Sequence, residues 1–251
     1  IFIDDNVVER TLINENIPDV ITPQFPEDPV YLNKWFICDV IYKYFPIISL
    51  TNEDKNKINQ YKFNKERKKI SGELDLKSFI NNLKINSKIY VDDERFVERT
   101  SQLTQKTNQF NMTTKRYSII DIEKFIKSNK YYVFNLEYED RFNNEGIVCS
   151  SILKINGTSA IIDTFLMSCR VIGRNVEYKF LDQIIEFLDN RKLNLKRLKA
   201  QFIPTNKNAV SEKFFSEYGM EIIRRQSNKT LYEIEFQSLF DFRLKNRSIK
   251  N

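Results

Sequence analysis

Histidine is absent from all 251 residues. Its absence excludes His-ligated zinc, a histidine general base and any Ser–His or Cys–His nucleophile pair. Chemistry must then use carboxylates, Cys, Tyr, Lys, Arg, the backbone or a cofactor. Cysteine is scarce: Cys38, Cys149 and Cys169 form an odd set without paired spacing. That argues against a disulfide scaffold and fits a reducing, cytoplasmic compartment. No apolar run approaches membrane-spanning length, and no secretory leader pattern is visible. No charge sign dominates either: 40 basic and 34 acidic residues give +6. The densest basic runs, KERKK at 65–69 and RKLNLKRLK at 191–199, are short and read as solvated faces, so nucleic acid is not the expected partner. An anionic small ligand or a carrier protein needs only a few local arginines.

Hydrophobic residues make up 41% of the chain, with 20 Phe and 12 Tyr, enough for a bulky core. The length fits one large domain or a domain plus a fragment. The chain opens IFIDDN, without an initiator Met. Residues 1–3 read as the end of a core strand, which predicts a preceding part of the fold outside this chain. A helix starts at 7. Asp4 and Asp5 at a strand end can hold a hard cation, one as ligand and one in support, or cap that helix. Four of the six prolines fall in 18–29, an irregular crossing. Helices are predicted over 32–44, 51–69, 74–83, 94–107 and 118–128, with a strand at 85–91. From 131 strands take over: 131–139, 147–155 and 159–167, the last two joined by Asn156–Gly157, a strong hairpin signal. A helix at 177–188, a strand at 198–203, a helix at 209–218 ended by Gly219, and strands at 220–223 and 231–236 complete one mixed sheet flanked by helices.

The stretch DTFLMSCRVIGRNVE, 163–177, stands out. It runs from strand through a polar turn with one of five glycines into a helix, an order that can present backbone N–H groups to an anion. It is equally a strand-to-helix turn with one flexible residue. Cys169 is the candidate catalytic nucleophile, since Arg170, Arg174 and a helix N-terminus lower a thiol pKa if it faces them; a cysteine at a strand end can also be buried and inert. The polar run NQFNMTT, 108–114, can contact a ligand amide or phosphate, or its Asn side chains can cap the turn.

The element order and this turn resemble the GNAT acyltransferase fold, in which a Gln/Arg-x-x-Gly-x-Gly/Ala turn binds the acyl-CoA pyrophosphate. Arg170 and Gly173 match; Asn175 stands where a small residue is usual. A second resemblance spans nearly the whole chain. FIDDN at 2–6, QLTQKTNQFNMTT at 102–114, DTFLMSCRVIGRNVE at 163–177 and PTNKN at 204–208 are together similar to the FkbH-like, HAD-IIIC family, in which a HAD phosphatase-like domain precedes a GNAT-like one. The resemblance implies an α/β (α+β) organisation: a C-terminal remnant of a HAD-like Rossmannoid domain over 1–50, a helical linker over 51–84 and a GNAT-like domain over 85–251. It implies that Asp4, the preferred Mg2+ contact, and Asp5 belong to the last acidic HAD motif, with the catalytic Asp-x-Asp segment upstream. It implies transfer of a glyceryl or other acyl group from a phosphorylated donor, 1,3-bisphosphoglycerate in some members, to the phosphopantetheine thiol of an acyl carrier protein. Arg170, Gly173, Arg174 and Asn175, with Asn108, Asn111, Thr205 and Asn208, are the candidate residues for CoA or the phosphopantetheine arm. An acyl-CoA-dependent N-acetyltransferase using Glu137, Tyr138 or Glu139 as base, or a water chain, and a non-catalytic carrier-docking or dimerisation module, are the other readings.

Overall fold

Alternation along the central strands sorts side chains onto two faces. In β3 (Tyr131–Glu139), Phe134, Leu136 and Tyr138 enter one buried cluster and Val133 another, as the period of two dictates. The structure, a computed structural model, describes residues 1–44, 63–67, 70–72, 74–226 and 228–239. The chain divides into two compact units, Ile1–Asn64 and Lys65–Asn251.

In the first unit, α1 (Val7–Asn16) is capped by Asn6, whose side chain accepts from the Val8 N–H at 2.9 Å. Neither Asp4 nor Asp5 is the cap. The strand expected at 1–3 does not form; a single bond from the Phe2 N–H to the Ile21 carbonyl, 2.9 Å, holds that stretch. A 3-10 turn (Pro29–Tyr31) leads into α2 (Leu32–Trp35), a π-helical turn (Phe36–Ile41) and α3 (Tyr42–Tyr44). Among its described residues Trp35 and Val40 are buried apolar side chains. Most of the helix predicted over 51–69 lies outside the described residues; 63–67 is helical.

The second unit begins its regular structure with α4 (Leu76–Leu83), capped by Asp75, and β1 (Asn86–Val91). The helix predicted over 94–107 is a 3-10 turn (Glu94–Phe96) capped by Asp93 followed by α5 (Val97–Lys106). Next come β2 (Phe110–Asn111), α6 (Ile119–Ile126), β3, β4 (Asn144–Asn156), β5 (Ser159–Met167), α7 (Val176–Asn190), β6 (Arg197–Phe202), a 3-10 turn (Ala209–Ser211), α8 (Phe214–Glu217), β7 (Glu221–Gln226) and β8 (Lys229–Glu235). Among the described residues the strands form one sheet in the order β1-β3-β4-β5-β6-β8-β7, with β2 added to β5. Every pairing is antiparallel except β5 with β6. This is the mixed sheet flanked by helices expected from the sequence, with β2 as an addition.

Helix α7 covers one face. Phe180, Leu181, Ile184, Ile185 and Leu188, the residues that the 3.6 period points inward, are all buried with Phe134, Leu136 and Phe165. Helices α5 and α6 cover the other: Val97 and Ile122 pack with Val133 and Ile152, and Leu103 with Ile147 and Leu166. Ser118 and Asp121 form a reciprocal capping box at the start of α6. The Asn156–Gly157 hairpin forms as read, with Gly157 at φ +59.

Candidate functional site

Strands β5 and β6 share a parallel ladder only over Ser159–Ile161 against Arg197–Lys199. Past this point two loops meet at their carboxyl ends: 107–118, before α6, and 203–208, after β6. Together they line an open cleft of 550 Å³ with Asn108, Thr114, Arg116, Thr205, Asn206 and Lys207.

Two buried amides hold these loops. Asn208 donates from Nδ2 to the Asn111 carbonyl at 2.9 Å and to the Ile203 carbonyl at 3.0 Å, and its Oδ1 accepts from the Thr205 N–H at 2.7 Å. Asn111 donates to the Thr107 carbonyl at 3.1 Å and accepts from the Thr114 N–H at 2.9 Å. Both side chains are fully buried. Of the four residues predicted here, Asn108 and Thr205 line the cleft, while Asn111 and Asn208 shape it from below.

Alternation then sorts 113–117. Thr113, Lys115 and Tyr117 turn to Asp163 on β5: Thr113 Oγ1 donates to its carbonyl at 3.0 Å, while Lys115 Nζ and Tyr117 OH reach its carboxylate. Burial, then the Asp163 carboxylate, pushes the Tyr117 phenol far up, so it stays protonated. Thr114 and Arg116 turn to the cleft. The Arg116 guanidinium is anchored on the Thr104 and Thr107 carbonyls and on Asn108 Oδ1. Lys207 is exposed. Thr114, Arg116, Asn206 and Lys207 were not singled out from the sequence, although three of them sit inside the NQFNMTT and PTNKN strings.

The 163–177 stretch behaves differently. After β5 it forms a 3-10 turn (Cys169–Val171) and enters α7 through two left-handed residues, Gly173 at φ +81 and Asn175 at φ +57. Asparagine is among the few residues with a side chain that occupy this region readily, which accounts for Asn175 where a small residue is usual. Arg170 and Arg174 turn into a charge cluster. Arg174 donates to Tyr138 OH at 3.1 Å and to the Arg170 carbonyl at 2.7 Å and lies 3.4 Å from the Asp140 carboxylate; Arg170 reaches Glu145 at 3.2 Å. The third cation is Arg67, bidentate on Asp140 at 2.7 and 2.9 Å and bonded to Glu145 at 2.9 Å. Arg67 belongs to the KERKK run read as a solvated face, yet it is 3% exposed. Burial raises the Asp140 carboxyl, but hydrogen bonds from Arg67, the Phe142 N–H and Tyr138 outweigh it and hold the group below the usual range. Burial pushes Tyr138 up to about 12 against the pull of Arg174.

Cys169 is exposed rather than buried, and Cys149 is the interior cysteine. In the first unit, Asp4 Oδ1 accepts from the Asn6 N–H at 2.8 Å, and Arg10 donates to the carbonyls of Asp4 and Asp5. Among the described residues no group of three or more His, Cys, Asp or Glu is placed to hold a metal. Asp4 and Asp5 therefore do not fit a Mg2+ site with the donors present here. Nor is any described helix long and apolar enough to cross a membrane.

No protein-family model matches the chain, and neither does any curated protein. Solved structures similar to it include the ribosomal-protein-S18-alanine N-acetyltransferase of Escherichia coli, at 11% identity over 60% of this chain and 94% of that one, TM-score 0.46. The spermidine/spermine N-acetyltransferase SpeG of Vibrio cholerae is similar at 15% identity over 63% and 97%, TM-score 0.46. FdhC, described as a nucleotide-linked sugar GNAT, is similar at 14% identity over 66% and 96%, TM-score 0.46. The architecture itself rests on the strand order and register above.

Proposed function

We propose that this chain is part of an FkbH-like biosynthetic enzyme, with the 65–251 unit as its GNAT-like half, binding the phosphate-bearing end of a carrier-linked or phosphorylated ligand during transfer of a glyceryl or other acyl group. The observation that carries this reading is the cleft between the 107–118 and 203–208 loops. It offers the Lys207 ammonium, the Arg116 guanidinium, two side-chain amides and two hydroxyls, the donor set that suits phosphate oxygens. These groups bind rather than break bonds: none is a nucleophile of the kind a thioester exchange requires. The modest positive charge favours encounter with an acidic carrier protein.

Calorimetric titration of the chain with a phosphopantetheinylated acyl carrier protein and with its unmodified form tests the reading. The modified carrier should bind more tightly, and Lys207→Glu should weaken that binding about tenfold, the order of one charge-assisted hydrogen bond. Equal affinity for both carrier forms in the wild type would overturn it.

The acyl-CoA N-acetyltransferase reading draws on the left-handed Gly173 and Asn175 ahead of α7. Two of its candidate bases are poorly set for the task. Glu137 is held below the usual carboxylate range by hydrogen bonds from Asn144 and Tyr90, and Tyr138 stays protonated at neutral pH. Tight binding of acetyl-CoA in the same calorimeter would favour that reading over ours.

A further inference from the structure

Where two parallel strands diverge, the edge of each is left open to an extended partner. In this protein β4 takes one edge of β5 through to its end, with Ser150 opposite Leu166 and Cys149 opposite Met167. The other edge, facing β6, is not open. Phe110 pairs with Met167 and Asn111 with Leu166. The Met112 N–H donates to the Phe165 carbonyl at 3.0 Å, and the Met112 carbonyl accepts from the Ile203 N–H at 2.8 Å. One residue thus stitches the end of β5 to the chain just beyond β6. Residues Phe110, Asn111, Met112 and Thr113 are no more than 3% exposed. Their aromatic anchor, Phe110, packs against Phe165 and Phe214 at ring-centroid distances of 6.3 and 5.6 Å.

We infer that the gap between β5 and β6 is filled by the chain's own 110–113 segment, so that the cleft flanking it recognises the phosphate of its ligand and admits no extended thioester arm along β5. The inference rests on the reading of the cleft as the ligand site and narrows it. A pantetheine arm lying along β5 would need the Phe165 carbonyl and the edge of Leu166 and Met167, all already hydrogen-bonded within the fold. Displacing the segment would also expose the Asn111 and Met112 side chains, which are fully buried. The ligand class is therefore a phosphate ester whose recognised part is compact, with any attached arm directed away from the sheet.

The test compares glycerol 3-phosphate, 4′-phosphopantetheine and pantetheine as ligands of the full chain, by calorimetry and by amide hydrogen exchange. The two phosphates should bind with affinities within about twofold of each other, and pantetheine should not bind. Lys207→Glu, on an exposed loop, should weaken both phosphates about tenfold. The Met112 and Leu166 amides should keep their exchange protection when phosphopantetheine is bound. Phosphopantetheine binding tenfold or more tighter than glycerol 3-phosphate, with lost protection at Met112, would overturn the filled gap while leaving the cleft as the binding site. Absence of binding by either phosphate, with the phosphopantetheinylated carrier still bound more tightly than the unmodified one, would overturn the inference alone; equal affinity for both carrier forms would overturn the reading beneath it.

Discussion

Arg67 shows how far one residue can depart from the pattern around it. It belongs to a run of five charged residues, and its fate is set by Asp140 and Glu145, more than 70 positions away. Three guanidinium groups and two carboxylates share the cluster, and Tyr138 joins it through its hydroxyl. Removing one member of a buried ion pair costs about 3–5 kcal/mol where the other charge is left without compensation; without Arg67, Asp140 and Glu145 keep, as cationic contacts, the longer ones from Arg174 and Arg170, at 3.4 and 3.2 Å. Arg67→Met should therefore lower stability by up to about 3 kcal/mol in urea unfolding; a change below about 1 kcal/mol would mean that Arg170 and Arg174 compensate fully. The pH dependence follows from the direction of the Asp140 shift. Its folded-state pKa lies below the unfolded one, so its contribution is present above the ordinary carboxylate pKa of about 4 and disappears as pH falls through the lowered folded value. Arg67→Met should flatten the acid limb of the stability profile. Asn208 makes the complementary case with neutral groups. Asn208→Ala would leave the Asn111 and Ile203 carbonyls and the Thr205 N–H without their partner, costing about 2 kcal/mol or more. A loss under about 0.5 kcal/mol in the same unfolding experiment would show that water replaces the amide.

At the scale of elements, the turn before α7 offers a clean separation of backbone from packing. A Cβ built on Gly173 meets nothing within 4 Å, while its φ is +81. Any cost of Gly173→Ala must then come from the left-handed backbone, about 1–2 kcal/mol, read as a shift in the urea midpoint with unchanged slope. No shift would mean that the turn tolerates another conformation. Regular elements such as this helix were legible in the sequence because their signals are local. The alternation of 131–139, the Asn–Gly hairpin and the inward stripe of α7 each follow from a short window, and the elements formed where those windows placed them. Strand β2 was not legible. NQFNMTT has no alternation long enough to mark a strand, and its two paired residues gain their hydrogen bonds from β5, more than 50 positions on. The same non-locality hid the cleft. Asn108 and Thr205 could be picked as polar residues in unusual strings, but that Asn111 and Asn208 would be buried beneath them depends on which carbonyls the fold brings within hydrogen-bond reach, 2.9–3.1 Å. In 32–44, where the sequence indicates one continuous helix, the π-helical turn Phe36–Ile41 has no local signal.

For the whole molecule, the three cysteines report on different parts of the fold. Cys38 lies in the first unit and is exposed; Cys169 lies in the turn after β5 and is exposed; Cys149 sits fully buried in the core between β3 and β5. Burial, then the Glu177 carboxylate, pushes the Cys149 thiol well up, so both reach and thiolate fraction are against it. Iodoacetamide at neutral pH should add two adducts to the native protein, at Cys38 and Cys169, and the third only when the sheet opens. If the 65–251 unit unfolds as one cooperative body, the rate of the third modification should follow urea with the slope of global unfolding. It should also rise in Arg67→Met by the factor its equilibrium stability falls, provided that opening and closing are fast relative to alkylation. A third adduct that forms in native buffer at the rate of the other two would mean that the β3–β4–β5 core opens locally. The filled gap would then have to be regarded as a site that the protein can vacate.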